Sequence, residues 1–585
     1  MRDVVDFFEY DLDPEQWIGE LLDQIAEGRY RPQQPRHFSK AKSGGFSRRM
    51  TMPAIPDLVL YRTIVDYLYA RGRTREVKHA YCEASELPSL THRPAGSPDP
   101  WRRIHEMALD YESSSTRSFR AWLHYEQYRK RLMLKRVYRY VVTADIANYF
   151  DSILFERVAD ALHSVKAPPR MIGLLFLILE ALSPRDVYAE SSRLGLPVDE
   201  FACSRKLAHL VLFPHDETMV RVVGEEAYVR WMDDQNFGAE TRGEGLAILG
   251  EVDRSLRTLS LNPNAKKSKV MKVAEARRHF HLDINEALDL TEQMPTASPS
   301  DRRALRAHLS AVWARGKQHD GKGEWDKILK RCYRLLARAQ SRQFRRRAVA
   351  DVLRAPALVE RVGDYMRCTG SVSEYLDYVY GLSSHPEQVY PDVSRALFES
   401  LLRLEPTTAS DARRIREVAS SALKNPAKGV FAFASDVAPL LILRFGDRRS
   451  LPVLRTAFTG AGTNATQSAA RASAIVFAGY GPSEAAVMKR AAGRLLYNHL
   501  ARLVRTLDAI RTYRDVPDGF KNRIRSVYDP VAGRKYIDMR GLVAVRLLGL
   551  NRSREVQQWL RHKRATLEKT GSEYETALLA RIWPG

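Results

Sequence analysis

The spacing of apolar and polar residues divides the chain into two parts that meet near residue 290. In the first part, stretches with helical periodicity alternate with short apolar runs that are typical of buried strands. The clearest helix covers residues 13–25, with Asp at the cap position and Pro in the first turn. Two apolar runs, within residues 142–153 and 228–237, also contain acidic residues. The pattern predicts an α+β domain over residues 1–290.

The second part of the chain is helical by period almost throughout. Apolar residues recur at steps of three and four along 303–314, 325–339 and 411–423. Residues 296–300, Thr-Ala-Ser-Pro-Ser, predict a linker before these helices. We therefore expect an all-α domain over residues 291–585. A HEAT-like α-solenoid of stacked helix pairs would explain the helix density, but no clean repeat period is visible, so an ordinary helical bundle is the alternative.

The acidic residues of the two strand-like runs are the strongest candidates for chemistry. Asp145 follows Val-Thr-Ala, and Asp233 and Asp234 follow Tyr-Val-Arg-Trp-Met. A carboxylate beside a buried strand is costly unless something pairs with it. Mg²⁺ is a suitable partner because it takes oxygen ligands and is commonly shared with phosphates. Metal ions held by carboxylates from two strands can activate the attacking oxygen and stabilise the leaving oxygen in phosphoryl transfer.

These two segments resemble the palm of reverse transcriptases, in particular the bacterial group that includes group II intron, retron and abortive-infection enzymes. The family's first motif, Asp-Ile-x-x-Phe/Tyr-Phe-Asp-x-Ile, is matched throughout by residues 145–153. Its hairpin reads Arg-Tyr-x-Asp-Asp, and Trp231 stands here in place of the Tyr. The resemblance implies a right-hand polymerase with its fingers and palm in the first domain. It also implies that Asp145 and Asp233 bind Mg²⁺, or Mn²⁺, and that Asp234 completes the acidic cluster.

A basic segment upstream resembles the fingers of the same family. Residues 40–53 read Lys-Ala-Lys-Ser-Gly-Gly-Phe-Ser-Arg-Arg-Met-Thr-Met-Pro, which contains the family's Arg-x-x-x-x-Pro spacing. A Gly-Gly turn that carries Lys and Arg can fold over a triphosphate, and Arg offers planar bidentate contacts to phosphate oxygens. We therefore expect Lys42 and either Arg48 or Arg49 to bind the incoming nucleotide. A solvated basic hairpin is the alternative for each of them.

Three further candidates follow from the order of the family's motifs. Residues 259–269 resemble its Leu-Asn-x-x-Lys-Thr motif, which implies that Lys267 lies near the incoming pyrophosphate and can protonate it. A basic surface turn is the alternative. Phe150 stands where polymerases of this type place a ring beside the sugar, which implies a preference for deoxynucleotides, and a core aromatic is the alternative. We also place Ile146 among the substrate-binding residues.

One segment departs from the family pattern. Residues 194–209 resemble the Gly-Leu-Pro-x-Gly … Ser-Arg-x-Leu-Ala segment that supports the templating base, but Asp199 stands where the family has glycine. Glycine allows a ligand to approach the backbone closely, and we expect a carboxylate at this position to repel a phosphodiester strand. The departure predicts synthesis with little or no added template. Ser204 is a candidate N-cap of the helix that follows.

Composition agrees with a nucleic-acid partner. The 585 residues include 93 Lys and Arg against 70 Asp and Glu, a formal net charge of +23. Between residues 81 and 138, basic and aromatic residues alternate. This pattern predicts either aromatic side chains that stack on single-stranded nucleic acid or an exposed amphipathic helix. The four scattered cysteines favour a reducing cytoplasm. No apolar run approaches the ~20 residues of a membrane span, so we expect no membrane partner.

Together these features predict a Mg²⁺-dependent DNA polymerase of the reverse transcriptase family, which acts on deoxynucleoside triphosphates, makes DNA and takes RNA as its candidate template. Members of the abortive-infection group combine such a palm with HEAT-like repeats and act against phage, and some polymerise without a template from a hydroxyl of the protein itself. The resemblance extends these properties to this chain as expectations, with Tyr10, Tyr497 and Tyr536 as candidate priming residues and a homo-oligomer as a candidate assembly. A templated RNA-directed polymerase of retron type and a catalytically silent nucleic-acid-binding scaffold are the alternatives.

Overall fold

The structure is a computed structural model that describes residues 10, 14–42, 44–82, 111–183, 193–320, 322–424, 434–460, 467–494, 498–529, 533–569 and 571–582. Within these ranges the protein is mostly helical, with one small mixed sheet and two separate β-hairpins. None of the described helices combines the length and the apolar character that a membrane span requires.

The first part of the chain contains the sheet and the helices that pack on it. Its strands are β1 (Arg36–Ala41), β2 (Ser47–Met52), β3 (Ala80–Tyr81), β4 (Tyr140–Ala144), β5 (Tyr228–Trp231), β6 (Asp234–Ala239) and β7 (Lys269–Lys272). Its helices are α1 (Pro14–Ala26), α2 (Ile55–Gly72), α3 (Tyr111–Leu134), α4 (Tyr149–Ser152), α5 (Phe155–Ser164), α6 (Pro169–Leu182), α7 (Cys203–Val211), α8 (Phe213–Val223), α9 (Arg242–Thr258), α10 (Val273–His279) and α11 (Leu282–Glu292).

The second part is a succession of helices with one hairpin. The hairpin strands are β8 (Ser526–Asp529) and β9 (Arg534–Ile537). The helices are α12 (Pro299–Gly316), α13 (Trp325–Arg338), α14 (Ala348–Arg354), α15 (Val359–Thr369), α16 (Val372–Ser383), α17 (Pro391–Ser400), α18 (Ala409–Lys424), α19 (Ala438–Phe445), α20 (Leu451–Thr459), α21 (Gln467–Ala478), α22 (Pro482–Arg494), α23 (Asn498–Thr512), α24 (Asp518–Arg523), α25 (Met539–Leu548), α26 (Arg554–Glu568) and α27 (Glu573–Ile582).

The five-stranded sheet has the order β3-β5-β6-β4-β7 and determines where the acidic residues lie. β5 and β6 form a tight antiparallel hairpin in which Trp231 pairs with Asp234. β6 also pairs antiparallel with β4, with Ala144 opposite Gln235. This register sets Asp145, the residue after β4, beside the beginning of β6. The end of β4 and the turn of the β5–β6 hairpin therefore meet at one edge of the sheet.

Capping residues explain where several helices begin. The Ser298 hydroxyl accepts a hydrogen bond from the N–H of Asp301, whose carboxylate accepts the N–H of Ser298 in return, and a proline occupies the first turn. Part of the predicted linker at 296–300 is thus the beginning of α12. Its Ser-Pro-Ser sequence is compatible with a linker and also with the N-terminus of a helix. The helices predicted at 303–314, 325–339 and 411–423 correspond to α12, α13 and α18 and are confirmed.

Two large apolar cores stabilise the described part of the chain. The first collects side chains from Leu21 to Leu261 and joins α1 and α2 to the helices around the sheet. The second runs from Leu288 to Ile582 and holds the C-terminal helices together. The boundary predicted near residue 290 lies at the beginning of the second core. A HEAT-like stacking of these helices stays a prediction.

Helix α3 belongs to the stretch in which basic and aromatic residues alternate. Tyr125 and Tyr128 are buried against β5, with 3% and 5% of their surface exposed. The Tyr125 hydroxyl accepts a hydrogen bond from the side-chain amide of Asn236 at 3.0 Å. The prediction that these two rings stack on single-stranded nucleic acid is therefore wrong. α3 crosses the sheet, and removing the rings from water lowers the free energy of the folded protein. Residues 83–110 of the stretch lie outside the described residues.

Asp199 is buried and caps α7. Its carboxylate accepts hydrogen bonds from the backbone N–H groups of Phe201 at 2.7 Å, Cys203 at 3.2 Å and Ser204 at 2.8 Å. Only 1% of Asp199 is exposed, so the expectation that it repels a phosphodiester strand is wrong. Ser204 is not the N-cap either, because it lies inside α7 and its hydroxyl donates to the carbonyl of Pro197. The carboxylate satisfies N–H groups that would otherwise be unpaired at the helix N-terminus.

We expect Asp199→Ala to lower the free energy of unfolding by about 2 kcal/mol, because three buried N–H groups lose their acceptor. Urea unfolding followed by circular dichroism measures this change. Asp199→Asn keeps an acceptor oxygen and should lose less. Asp23→Ala is the matched control, since Asp23 is exposed on α1, and should change stability by less than about 0.5 kcal/mol. Equal stabilities of Asp199→Ala and Asp23→Ala would contradict the capping role.

Candidate active site

The two acidic motifs come together at one edge of the five-stranded sheet. Asp145 directly follows β4, and Asp233 lies in the two-residue turn between β5 and β6. Met232, the other residue of this turn, has a φ of +52°. Asp234 begins β6, next to β4. Carboxylates from segments far apart in sequence therefore share one edge of the sheet. We call this edge, with Asp145, Asp233 and Asp234, the acidic edge.

Asp145 is enclosed by the turn that carries Lys267. Its Oδ1 accepts a hydrogen bond from the Asn264 side-chain amide at 2.9 Å, and its Oδ2 accepts one from the Lys267 ammonium at 2.8 Å. The backbone strengthens the same contact, since the N–H of Asn264 donates to the Asp145 carbonyl at 2.7 Å. Partial burial disfavours the charged ammonium, but the hydrogen bond and the charge of Asp145 outweigh it and raise the pKa of Lys267. Lys267 is therefore a protonated cation at the acidic edge.

The other two carboxylates carry negative charge that is only partly compensated. Burial raises the pKa of Asp233, and the charge of Asp145 raises it further. The pKa of Asp234 is raised to about 6 by partial desolvation and by repulsion from Asp233 and Asp145, although the residue is exposed at the surface. Lys267 and Arg48 act in the opposite direction on Asp233 without cancelling these effects. Asp145 and Asp233 therefore act electrostatically on their neighbours at this end of the sheet.

The β1–β2 hairpin contributes positive charge to this edge. Arg48 is the arginine whose charge reaches Asp233. It is exposed and forms no ion pair with any residue in the described ranges. Lys42 is exposed as well, whereas Arg49 is half-buried and makes other contacts. Of the two arginines left open by the sequence, Arg48 is thus the better candidate for contact with an anionic substrate.

Phe150 and Ile146 lie on the segment that follows Asp145. The Phe150 ring is half-buried, packs on the first core and lies 5.4 Å from the ring of Tyr149. Ile146 is 2% exposed and belongs to the first core. A substrate can therefore reach Ile146 only through its backbone.

The candidate priming tyrosines occupy different parts of the chain. Tyr10 packs edge-on against Trp17, with 5.3 Å between ring centroids. Tyr536 lies in β9, where burial raises its pKa. In the described part of the chain, the charges that act on Tyr536 come from the C-terminal half, Arg403 foremost, and not from the acidic edge. Tyr497 lies outside the described residues.

A buried ion pair between Arg230 and Asp216 lies behind the hairpin turn. Both side chains are fully buried. Arg230 Nε donates to Asp216 at 2.6 Å, and the Tyr228 hydroxyl donates to the same carboxylate at 2.6 Å. Arg230 Nη1 donates to the carbonyl of Met232 at 2.9 Å, and Nη2 lies 3.1 Å from Nδ1 of His209. The backbone of the turn is therefore held from behind by a cation that has its own buried partner.

The donor chemistry of the acidic edge can be compared with the needs of a metal ion. Mg²⁺ prefers oxygen ligands such as carboxylates. Within the described ranges, no three His, Cys, Asp or Glu side chains are already gathered in positions that could hold a metal. Both oxygens of Asp145 are instead engaged by Asn264 and Lys267. Asp145, Asp233 and Asp234 are nevertheless oxygen donors of the kind that a divalent cation takes.

Three further residues contribute to this site although no sequence motif assigned them a role: Asn264, Arg230 and Asp216. Asn264 lies in the same motif as Lys267, and its spacing from that lysine was the available signal. Arg230 stands in an apolar strand, where a cation needs a buried partner. Nothing in the sequence identifies Asp216 as that partner, because the pairing depends on how α8 packs under β5.

Removing the Arg230 side chain should destabilise the protein strongly. We expect Arg230→Met to cost about 3–5 kcal/mol, because Asp216 then stays buried without a partner. Urea unfolding measures the loss, and the double variant Arg230→Met/Asp216→Leu should recover part of it. Arg254→Ala removes an arginine that is 73% exposed in its ion pair with Glu251 and should cost less than about 1 kcal/mol. A loss for Arg230→Met as small as that of Arg254→Ala would contradict the bracing role.

Comparisons with known proteins add no relative from which a function could be transferred. No protein-family model matches this chain, and no curated protein sequence matches it. A function must therefore be inferred from the chemistry of the site itself. The acidic edge with its paired lysine and nearby arginine is the part of the described chain best suited to bind an anionic substrate together with a cation.

Proposed function

We propose that the protein is a nucleotidyltransferase, a Mg²⁺-dependent DNA polymerase of the reverse transcriptase type. The observation that carries this proposal is the ion pair of Lys267 with Asp145 at an edge that also holds Asp233. Phosphoryl transfer is catalysed mainly by positioning and by electrostatic stabilisation, which require carboxylates for the cation and positive charge for the phosphates. Both kinds of group are present at this edge.

The surrounding architecture supports this proposal. β4, β5, β6 and β7 form a small antiparallel sheet, and α7, α8 and α9 contribute to the core beneath it. The basic β1–β2 hairpin lies close enough for Arg48 to act on Asp233. This is the arrangement expected if residues 1–290 form the fingers and palm of a right-hand polymerase.

The proposed reaction assigns a task to each polar residue of the edge. A hydroxyl oxygen attacks the α-phosphorus of a deoxynucleoside triphosphate and gives up its proton to solvent, the bond from the α-phosphorus to the bridging oxygen breaks, and pyrophosphate leaves. Arg48 and Lys42 would hold the triphosphate oxygens. Lys267, whose pKa is raised, would give its proton or its positive charge to the pyrophosphate. The brace of Arg230 keeps the turn of Asp233 in place, so that little reorganisation is needed during the reaction.

Asp145 and Asp233 would hold the Mg²⁺, with Asp234 beside them, and Mn²⁺ takes the same donors. A bound cation supplies activation of the attacking oxygen and stabilisation of the leaving oxygen. Lys267 then exchanges one acidic partner, Asp145, for another, the leaving pyrophosphate.

A catalytically silent nucleic-acid-binding scaffold is the second candidate function. The observation that favours it is that both oxygens of Asp145 already have donors, Asn264 and Lys267. In a scaffold this ion pair would be permanent, and the positive charge of the chain would serve binding alone. Incubation with labelled deoxynucleotides separates the two functions, because a scaffold incorporates none.

The finer properties of the polymerase are proposals that rest on the resemblance. They are antiphage defence, synthesis without a template, and priming from a protein hydroxyl such as Tyr10, Tyr497 or Tyr536. The buried position of Asp199 removes the electrostatic reason for untemplated synthesis, so a templated enzyme of retron type is an equal alternative. Label that stays with the protein on a denaturing gel and is released as DNA by protease would support protein priming.

Asp145→Asn and Asp233→Asn should each lower deoxynucleotide incorporation by on the order of 10³-fold, because a proposed metal ligand is lost. Incorporation of labelled deoxynucleotide in Mg²⁺ measures the effect, and circular dichroism checks the fold. Asp23→Asn, an exposed carboxylate on α1, is the matched control and should keep full activity. Activity like that of the wild type in both active-site variants would refute the proposed function.

Phe150→Val should lower the selectivity for deoxynucleotides over ribonucleotides by about tenfold or more, because a smaller side chain leaves room for a 2′-hydroxyl. The ratio of kcat/KM values for dATP and ATP is the measurement. Phe176→Val is the matched control, since this half-buried ring packs on Phe155 at 5.6 Å and should leave the ratio unchanged. An unchanged ratio in Phe150→Val would assign the ring to core packing.

A further inference from the structure

Two side chains at the beginning of α17 bind the basic β1–β2 hairpin to the C-terminal helical half, in addition to the hydrogen bond from Arg36 of β1 to the Ser468 hydroxyl. The carboxylate of Asp392 accepts the backbone N–H of Ala41 at 2.9 Å, where β1 ends. The hydroxyl of Tyr390 accepts the backbone N–H of Gly45 at 2.7 Å, in the tip of the hairpin. These two bonds join segments that are about 350 residues apart in sequence. We call Tyr390 and Asp392 the latch.

The latch residues are themselves held in place. Tyr390 is 6% exposed, and its backbone N–H and carbonyl are both bonded to the side chain of Gln388, at 2.9 Å each. Asp392 lies in the first turn of α17, where a carboxylate is favoured by the helix dipole. Acceptors fixed in this way lose little conformational entropy when they bind the hairpin. They therefore define one position of the hairpin rather than following its motion.

The bonded part of the hairpin has little rigidity of its own. Gly44 and Gly45 both have positive φ, +67° and +84°, a conformation that glycine adopts freely. The tip is closed by a hydrogen bond from the N–H of Lys42 to the carbonyl of Phe46 at 2.9 Å. An isolated two-stranded hairpin is only marginally stable in water. An external contact at the tip is therefore needed to keep it in one position.

The hairpin carries Arg48, whose charge acts on the acidic edge, together with Lys40 and Lys42. In its register Lys40 lies directly opposite Arg48, and like charges so placed repel each other. Arg48 acts on Asp233, whereas Lys40 acts on Asp392. On the other side, the N–H of Thr51 donates to the Val198 carbonyl at 2.8 Å, next to the segment that caps α7. The hairpin is thus held between the segment that precedes α7 and the helical half.

We propose that Tyr390 and Asp392 are positioning residues that set the distance of the cations of the hairpin from the acidic edge, and that the helical half controls triphosphate affinity through them. This inference rests on the proposed function for its substrate. Both side chains act through the backbone of the hairpin, because both bonds go to backbone N–H groups. Loss of the latch leaves Lys42 and Arg48 in the chain and releases the tip of the hairpin, while the bonds of Arg36 to Ser468 and of Thr51 to Val198 remain.

The electrostatic effect and the positioning effect of Asp392 have opposite signs. A carboxylate near a basic hairpin repels a triphosphate, so Asp392→Ala would raise the affinity for anions if charge alone mattered. The latch predicts the reverse, a lower affinity. Tyr390→Phe changes no charge and should lower the affinity in the same direction. Asp392→Asn keeps an oxygen acceptor for the N–H of Ala41 and should stay close to the wild type.

The experiment has three measurements on the full chain. Hydrogen exchange of the Ala41 and Gly45 amides should accelerate by about fivefold or more in Asp392→Ala and Tyr390→Phe. The dissociation constant of inorganic tripolyphosphate, measured by calorimetry, should rise by about fivefold to tenfold. In the incorporation assay KM for deoxynucleotide should rise by a similar factor, while kcat changes less than about twofold. Arg48→Ala serves as the positive control for lost tripolyphosphate affinity.

Matched controls separate the latch from a general loss of stability. Tyr528→Phe and Asp515→Ala alter exposed residues of the helical half and should change none of the three quantities. Unchanged amide exchange in both latch variants overturns the inference, and so does faster exchange with unchanged tripolyphosphate affinity. A wild type that incorporates no nucleotide defeats the proposed function but not the latch, which the exchange and tripolyphosphate measurements still support or overturn.

Discussion

The buried ion pair of Arg230 with Asp216 is the interaction on which the candidate active site depends. A guanidinium and a carboxylate without solvent are stable only when they satisfy each other, and here the remaining donor of the guanidinium holds the carbonyl of Met232. Met232 has a left-handed backbone, which is unfavourable for a side chain of its kind. The ion pair compensates for this cost and thereby determines where Asp233 lies. The turn is rigid because its support is buried.

Repulsion among the carboxylates of the acidic edge exceeds the compensation by nearby cations. Asp145 raises the pKa of Asp233, and both raise the pKa of Asp234, while Lys267 and Arg48 act on Asp233 from two other segments of the chain. A ligand that brings both a cation and an anion, such as the metal-bound triphosphate of the proposed reaction, would match both kinds of charge. The negative charge of the edge also explains the ion pair of Lys267 with Asp145. In the proposed reaction this ion pair has to open before the two side chains can take part.

The helical half takes part in this arrangement through the β1–β2 hairpin. Two backbone N–H groups of the hairpin find their acceptors on Tyr390 and Asp392 rather than on solvent. Through these two bonds the C-terminal helical half can influence the acidic edge, although Asp145, Asp233 and Asp234 all lie in the first part of the chain. Coupling of this kind needs an element that is weakly stable alone, and a two-stranded hairpin with a glycine tip is such an element.

The sequence by itself determined the helices and the local motifs, because periodicity, capping residues and short-range spacing depend on near neighbours along the chain. It indicated Asp145, Asp233 and Lys267 as candidates, and it predicted α12, α13 and α18. Only the tertiary structure decided which partner each polar group finds. Asp199 became a helix cap instead of a repelling charge, and the rings of α3 became core. Pairing across hundreds of residues is decided by packing, since burial makes an unpaired charge or N–H group costly wherever its partner lies in the sequence.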